Sequence, residues 1–328
     1  MSWLQTHWYR KSFVSFALLP VSWLYLLLST LRRSLYRGGI LRRTRLSVPV
    51  IVVGNITVGG TGKTPLVVWL SKLLQRQGYR PGIVARGYRG RARQWPVSVT
   101  AQSDPDQVGD EPVLLARNSG CPVMAAPRRV VAARKLVNEH DCDIIVSDDG
   151  LQHYALARDI EIAVIDGARR FGNGYCLPAG PLREPTTRLR SVHARVANGT
   201  PRAGELGMRL QPLRFRSVGA PAIERSLDAF AGVRVHALAG IGNPSRFFQQ
   251  LRELDIDAME HALPDHYRYR PRDIEFADDA PVIMTEKDAV KCQSFADQRC
   301  WYLEVEARPD PAFAEQVLQL LSTVRREK

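Results

Sequence analysis

Residues 48 to 74 constrain this chain more than any other stretch. Residues 48–55 (VPVIVVGN) form a short, β-branched apolar run without alternation, the pattern of a central parallel strand buried on both faces. The run leads into Thr57-Val58-Gly59-Gly60-Thr61-Gly62-Lys63-Thr64, then into Pro65 and an apolar-periodic segment of Leu66, Val67, Trp69, Leu70, Leu73 and Leu74. Strand, glycine loop and helix in that order predict a phosphate-binding P-loop. Glycines let backbone N–H groups close around phosphate oxygens, and the helix N-terminus adds its positive end. The candidate nucleotide-binding residues are Thr57, Gly59, Gly60, Thr61, Gly62, Lys63 and Thr64. Lys63 is expected at the β- and γ-phosphates and Thr64 at a Mg²⁺ ion, while Pro65 suits a first helical turn. The motif departs from the usual pattern at one position, where Thr57 stands for Gly or Ala. A plain strand-to-helix turn is the bland alternative, and the intact G-K-T in this setting favours a nucleoside triphosphate.

Such a loop needs a carboxylate to hold the metal. Residues 142–147 (CDIIVS) repeat the buried-strand pattern and end in Asp148-Asp149-Gly150-Leu151-Gln152-His153. Acids at the carboxyl end of a parallel strand stand where such sheets bind ligands. One of the pair is a candidate Mg²⁺ ligand, and the other can bind the same cation or orient a nucleophile. An acidic turn that caps a helix would read the same way. Two further loops stand out. Residues 82–90 (GIVARGYRG) empty a strand into Arg86, Gly87, Tyr88 and Arg89, a basic loop able to hold an anionic substrate or simply to face solvent. Residues 108–112 (VGDEP) precede an apolar helical run, so Asp110 and Glu111 are either functional acids or ordinary first-turn acids.

The charge matters once it is located. Of a net charge of +13, eight positive charges lie in the first 50 residues, which contain no acid. Arg10, Lys11, Arg32, Arg33, Arg37, Arg42, Arg43 and Arg45 bracket an apolar stretch, residues 13–31, flanked by Trp3, Trp8, Tyr9 and Tyr36 and containing Trp23 and Tyr25. Aromatic belts and basic flanks are what a bilayer interface selects. A helix of that length would reach roughly 28 Å against a hydrocarbon core of about 30 Å. Pro20 interrupts it and Ser15, Ser22 and Ser29 dilute it. A retained membrane-anchoring helix is therefore expected, with spanning and interfacial forms both open. Five cysteines without a C-x-x-C pair argue against a disulfide framework or a structural zinc site and fit a reducing compartment. No RNA- or DNA-binding module is evident, so nucleic acid is not an expected partner.

Seven collinear runs make the chain recognisable: V-G-G-T-G-K-T-P (58–65), A-R-G-Y-R-G (85–90), G-D-E-P (109–112), D-D-G-L-Q-H (148–153), P-A-G-P-L-R-E-P (178–185), P-D-H-Y (264–267) and T-E-K-D-A-V-K (285–291). Together they resemble the tetraacyldisaccharide 4′-kinase family of lipid A biosynthesis. The resemblance implies transfer of the ATP γ-phosphate to the 4′-hydroxyl of an acylated glucosamine disaccharide 1-phosphate, giving lipid IVA at the cytoplasmic face of a bacterial inner membrane. ATP and Mg²⁺ are the cofactors it implies, and substrate and membrane lipid the partners. No obligate protein partner is inferred. By the same resemblance Asp110 accepts the hydroxyl proton, His266 partners it, and Lys63 completes the catalytic set. Thr64, Asp148, Asp149 and Glu184 are the implied metal positions, and Arg86, Tyr88 and Arg183 the substrate positions. Arg128 and Arg129 are further anion candidates, and Gln152 and His153 are read as support for the acidic loop. A membrane-recruited P-loop switch ATPase is the rival class, weakened because its usual lysine before the glycine pair is Val58 here.

The fold class expected is α/β: a P-loop NTPase-like parallel-sheet lobe, a second, smaller α/β lobe, and the N-terminal anchoring helix. The expected segments are 1–45 for anchor and basic flank, 46–205 for the kinase lobe, 206–230 for linker strands and 231–328 for the second lobe. Within the linker, residues 207–213 and 213–218 read as two short strands. Asp110 and His266 fall on different lobes, so they are expected to meet only when the lobes close on substrate.

Overall fold

The computed structural model describes residues 6–327, which leaves Trp3 of the aromatic flank outside the described residues. The chain opens with α1 (Phe13–Ala17) and α2 (Leu19–Arg37). An alternating series follows: β1 (Val50–Gly54), α3 (Lys63–Arg76), β2 (Pro81–Ala85), β3 (Val97–Val99), α4 (Pro105–Val108), α5 (Asp110–Ser119), β4 (Val123–Ala125), α6 (Arg129–Glu139), β5 (Ile144–Ser147), β6 (Ile160–Asp166) and β7 (Ala194–Asn198). Then come β8 (Leu206–Ser217), β9 (Glu224–Arg225), β10 (Arg234–Ala239), α7 (Pro244–Glu253), β11 (Asp257–Ala262), β12 (Val282–Thr285), α8 (Glu286–Cys292), β13 (Cys300–Pro309) and α9 (Pro311–Glu327).

All thirteen strands belong to one hydrogen-bonded sheet, in the order β11-β10-β12-β13-β8-β7-β6-β1-β5-β2-β4-β3, with β9 on β8. From β7 to β4 every pairing is parallel, and every residue of β1, β2, β5 and β6 is buried. That is why β1, β2 and β5 read as short apolar runs, since helices cover both faces, while β6 carries Glu161 and Asp166 buried among its apolar residues. Helix α3 lays Leu66, Val67, Leu70, Leu73 and Leu74 on the sheet, the stripe that a 3.6-residue period aligns. Each such burial stabilises the fold by roughly 2 kcal/mol. The strands β11, β10, β12 and β13 form a second parallel set around Phe215, Phe230, Phe247, Leu251 and Trp301.

Strand β8 joins the two sets, pairing in parallel with β7 at its start and antiparallel with β13 along the rest. It is one twelve-residue strand where two short ones were expected. The break anticipated near Leu213 survives as a register shift opposite Glu304 and Val305, beside Pro212, whose missing N–H a bulge tolerates. The closing helix α9, expected in the second lobe, returns to the first: Phe313, Val317 and Leu321 sit in the core around α3, with Phe313 5.5 Å from the ring of Trp69. The turn after β10 abuts the loop after β1, so closely that a Cβ on Gly242 would lie 2.4 Å from the Gly60 nitrogen. Asp166, buried at the end of β6, accepts hydrogen bonds from Arg169 and Arg246, and Arg169 also donates to the carbonyls of Gly60 and Gly242.

The N-terminal helices lie along the body of the protein. Pro20 does not break a helix; it stands in the first turn of α2, where it costs little. Ser15 and Ser22, read as diluting an apolar segment, are the buried face: the Ser22 hydroxyl donates to the Cys176 carbonyl at 2.7 Å. The opposite face exposes Val21, Trp23, Leu24, Leu27, Leu28 and Leu31, and Phe13 of α1 is 87% exposed. Among the described residues no helix is long and apolar enough to cross a membrane.

Candidate active site

The loop from Thr57 to Thr64 leaves the carboxyl end of β1 and enters α3 at Lys63. Gly59 and Gly62 carry φ of +104° and +90°, the left-handed region that favours glycine. At Gly62 a side chain is also excluded by space, since a Cβ would lie 2.5 Å from Nδ2 of Asn198. The Asn198 amide donates to the Thr61 carbonyl at 3.1 Å, and Asn55 reaches the Gly59 carbonyl and the hydroxyls of Thr57 and Thr61 at 3.4–3.5 Å. Thr57 bridges to Leu182, and the Val58 N–H donates to the Pro181 carbonyl, so the unusual first position is tied to the segment that carries Arg183.

Asp148 and Asp149 follow β5, and they differ sharply. The carboxylate of Asp149 lies 3.3 Å from Nζ of Lys63 and accepts hydrogen bonds from Arg183 at 2.9–3.0 Å. Burial opposes its charge, but Lys63, Arg183 and Arg129 outweigh that and hold its carboxyl far below the usual carboxylate range. Asp148 is 2% exposed, and its Oδ1 has no hydrogen-bond partner. Burial, reinforced by Glu111 and Asp149 against the pull of Lys63, pushes its carboxyl up to about 7. A buried acceptor without a donor is a costly arrangement that a hard cation relieves. Thr64, one residue past Lys63 at the start of α3, lines a neighbouring pocket with Gly62 and Pro65 rather than the one lined by Asp148. Among the described residues no cluster of three or more His, Cys, Asp or Glu could hold a metal by itself, so a cation here would draw other ligands from a nucleotide's phosphates.

On the other side of the same cavity, about 600 Å³ in volume, Asp110 begins α5 and His266 sits on the loop after β11. His266 has φ +58°, a strained conformation for a non-glycine residue, and its backbone is held by the Gly240 carbonyl and by Arg89. Its Nδ1 lies 3.0 Å from Oδ2 of Asp110. The expectation that this pair forms only on closure over substrate is not met, because the protein's own contacts already bring the two segments together. Asp110 is buried, which raises its proton affinity. Lys287, the hydrogen bond to His266 and Lys291 overcome this and hold it well below the usual carboxylate range. Tyr88 packs edge-on against the His266 ring at 5.2 Å, with the guanidinium groups of Arg86 and Arg89 each within 6 Å of the Tyr88 ring.

Lys63, Arg86, Tyr88, Asp110, Asp148, Asp149, Arg183 and His266 all line this cavity. Glu184 does not. It is 4% exposed and faces inward, accepting from Gln152 at 2.9 Å and from the Tyr154 hydroxyl, with Arg188 at 3.7 Å. Arg129 lies deep in the site and donates to the Asp149 carbonyl, whereas Arg128 is exposed and precedes α6 without a side-chain capping bond. His153 reaches the cavity as a neutral ring, lowered to about 4 by burial and by Arg129, Arg158, Arg32 and Arg86. Sequence reasoning gave no role to Asp265 and Lys287, which meet Glu111, a candidate acid there, at the Asp110 end. The only signal for Lys287 was its place in the T-E-K-D-A-V-K run. Tyr25 and Arg32 of α2 also border the cavity, and the Tyr25 hydroxyl donates to the Arg183 carbonyl.

A glycine loop between a buried strand and a helix, facing carboxylates at the ends of neighbouring parallel strands, defines a P-loop nucleotide-binding protein. The family model described as Tetraacyldisaccharide-1-P 4′-kinase matches residues 14–322. A tetraacyldisaccharide 4′-kinase of Alkalilimnicola ehrlichii is 52% identical over 325 residues, covering 97% of this chain and 96% of its own. One of Nitrosococcus oceani is 49% identical over 322 residues, covering 98% of this chain and 95% of its own. A crystal structure of LpxK from Aquifex aeolicus, an "apo" form in complex with ATP, matches with a TM-score of 0.79 at 28% identity, covering 94% of this chain and 99% of that one. This chain belongs to the tetraacyldisaccharide-1-P 4′-kinase family.

Proposed function

We propose that this protein transfers the γ-phosphate of ATP to the 4′-hydroxyl of a tetraacylated glucosamine disaccharide 1-phosphate, producing lipid IVA. The observation that carries the reading is the ionised Asp110, oriented by His266 and opening on the same cavity as Lys63 of the P-loop. A sugar hydroxyl hardly ionises near neutral pH, so a positioned carboxylate that accepts its proton lowers the barrier to attack. The backbone N–H groups of residues 59–64 and the ammonium of Lys63 bind the triphosphate, and Asp149 orients Lys63 and Arg183 toward it. Thr64 and Asp148 are the residues that would hold Mg²⁺, which when bound neutralises charge on the transferred phosphoryl group. Arg86 and Tyr88 hold the sugar and its phosphate. Glu184 acts through Gln152 rather than at the metal.

The exposed apolar face of α2 and the arginines after it suit the head-group region of an anionic bilayer, with the helix lying in the interface. That would put the cavity, bordered by Tyr25 and Arg32, at the surface of the cytoplasmic leaflet of the inner membrane, where an acylated substrate resides. The test incubates the purified protein with Mg-ATP and the tetraacyldisaccharide 1-phosphate in detergent and follows product. The parent is expected to form lipid IVA; Lys63→Ala and Asp110→Ala are not, while Asp110→Ala still binds ATP. Parent-like turnover by both variants would overturn the site assignment, and no turnover by the parent would overturn the activity.

A further inference from the structure

The segment after β6 carries an arginine that grips the nucleotide loop from outside the cavity. Arg169 donates from Nη2 to the Gly60 carbonyl at 3.1 Å and from Nη1 to the Gly242 carbonyl, while its Nε lies 2.9 Å from Oδ2 of Asp166. Its guanidinium packs over the Tyr9 ring at 5.5 Å, and the side chain is 21% exposed. Asp166 also accepts from Arg246 at 3.0 Å and from Asn243 at 3.4 Å. Burial opposes the charge of Asp166, but Arg246 and Arg169 outweigh it and hold the carboxyl below its ordinary range. Every nitrogen of the Arg169 fork therefore has an acceptor, which leaves the guanidinium a single orientation.

Arg169 is one of three such donors. Asn55 meets the Gly59 carbonyl at 3.4 Å, Arg169 the Gly60 carbonyl at 3.1 Å, and Asn198 the Thr61 carbonyl at 3.1 Å. Three consecutive loop carbonyls are thus held by side chains from three different segments. In a trans peptide the C=O of one residue and the N–H of the next point in opposite directions. Holding these carbonyls turns the N–H groups of Gly60, Thr61 and Gly62 away from the three side chains, and none of those N–H groups donates to a described residue. Unpaired N–H groups on a glycine loop are what an anion takes up. If the Gly60–Thr61 peptide were free to turn, each incoming nucleotide would have to order it. We propose that Arg169 is a positioning residue for nucleotide binding: by holding the Gly60 carbonyl it presents the Thr61 N–H to the phosphate tail. The same guanidinium holds the Gly242 carbonyl, so one side chain clamps the loop and the turn after β10 together.

The proposal rests on the reading of residues 57–64 as the ATP site, and its test measures binding without lipid, apart from turnover. By calorimetry, Arg169→Met is expected to bind Mg-ATP about tenfold more weakly than the parent does. AMP, which lacks the β- and γ-phosphates, is expected to keep the parent's affinity. A side chain that merely supported the fold would lower both affinities together, so equal losses would overturn the proposal, as would a parent-like affinity for Mg-ATP. Arg169→Lys, which offers a point charge in place of a planar fork, is expected to show the same ATP-selective loss at a smaller size. If Arg169→Met does not fold, Arg169→Lys decides: a parent-like affinity for Mg-ATP, or equal losses for the two nucleotides, would overturn the proposal. A parent that binds Mg-ATP but forms no lipid product would refute the kinase reading, and the ratio of ATP to AMP affinities would still decide the role of Arg169. A parent without affinity for Mg-ATP would overturn both.

Discussion

At the P-loop end of the cavity the shape is fixed through the main chain. Gly62 has no room for a Cβ beside Asn198, the Thr61 carbonyl is gripped by that same Asn198, and the second strand set backs onto Gly60 through Gly242. At the Asp110 end the shape is fixed by charge on side chains, with Lys287 between Glu111, Asp265, Asp110 and His266. The first arrangement suits a ligand that is always the same triphosphate and must be met by donors already in place. The second suits a proton acceptor whose ionisation has to be set by its neighbours. A backbone-built site fails abruptly when an atom is added, and a charge-built site shifts by degrees when a charge is removed.

The largest effect should come from breaking the main-chain end. Gly62→Ala puts a methyl group against Asn198 in a left-handed conformation that alanine disfavours. ATP affinity and turnover should both fall, turnover by roughly 10³-fold, measured by calorimetry with Mg-ATP and by product formation. Parent-like nucleotide affinity would show that the loop is not the grip. Next in size, Asp110→Asn should cost about 100-fold or more in kcat while ATP affinity stays at the parent's value. His266→Gln, which can still offer a donor, should cost less. Loss of ATP affinity in Asp110→Asn would erase the distinction between the two ends.

The same difference decided what could be read in the sequence. The main-chain end is built from eight consecutive residues after a buried strand, so its order alone exposes it. The partners of Lys287 lie as far as 176 residues away, and nothing local marks it as more than a helix-start lysine. Glu184 misled for the converse reason: it adjoins Arg183 in the chain, but its side chain turns inward to Gln152 and Tyr154. In α2 the apolar content was legible, but the direction of each side chain was not. Ser15 and Ser22 counted against a membrane segment, yet they are the face that docks on the protein. The continuity of the sheet was hidden too, because β8 and β13 pair across some 90 residues and only packing selects that register.

The smallest effect expected is on stability, and it has opposite signs at the two ends. In the chelated protein Asp148 titrates at about 7, above its unfolded value of 3.8. Its contribution to stability is therefore complete below about pH 4 and is lost as pH rises toward 7. Asp110 is held below its unfolded value, so its contribution is present above that value and is lost as pH falls beneath it. Between pH 5 and pH 8 only Asp148 of this pair changes its proton. Melting curves in EDTA should show the parent losing stability over that interval by a few degrees more than Asp148→Asn does. Adding Mg²⁺ with ADP at pH 8 should stabilise the parent more than the variant, since a cation takes the place of the proton on Asp148. Identical pH slopes for the two proteins would mean that the Asp148 carboxyl is not held up by its burial, and with that the case for Asp148 over Asp149 as the cation ligand would fall.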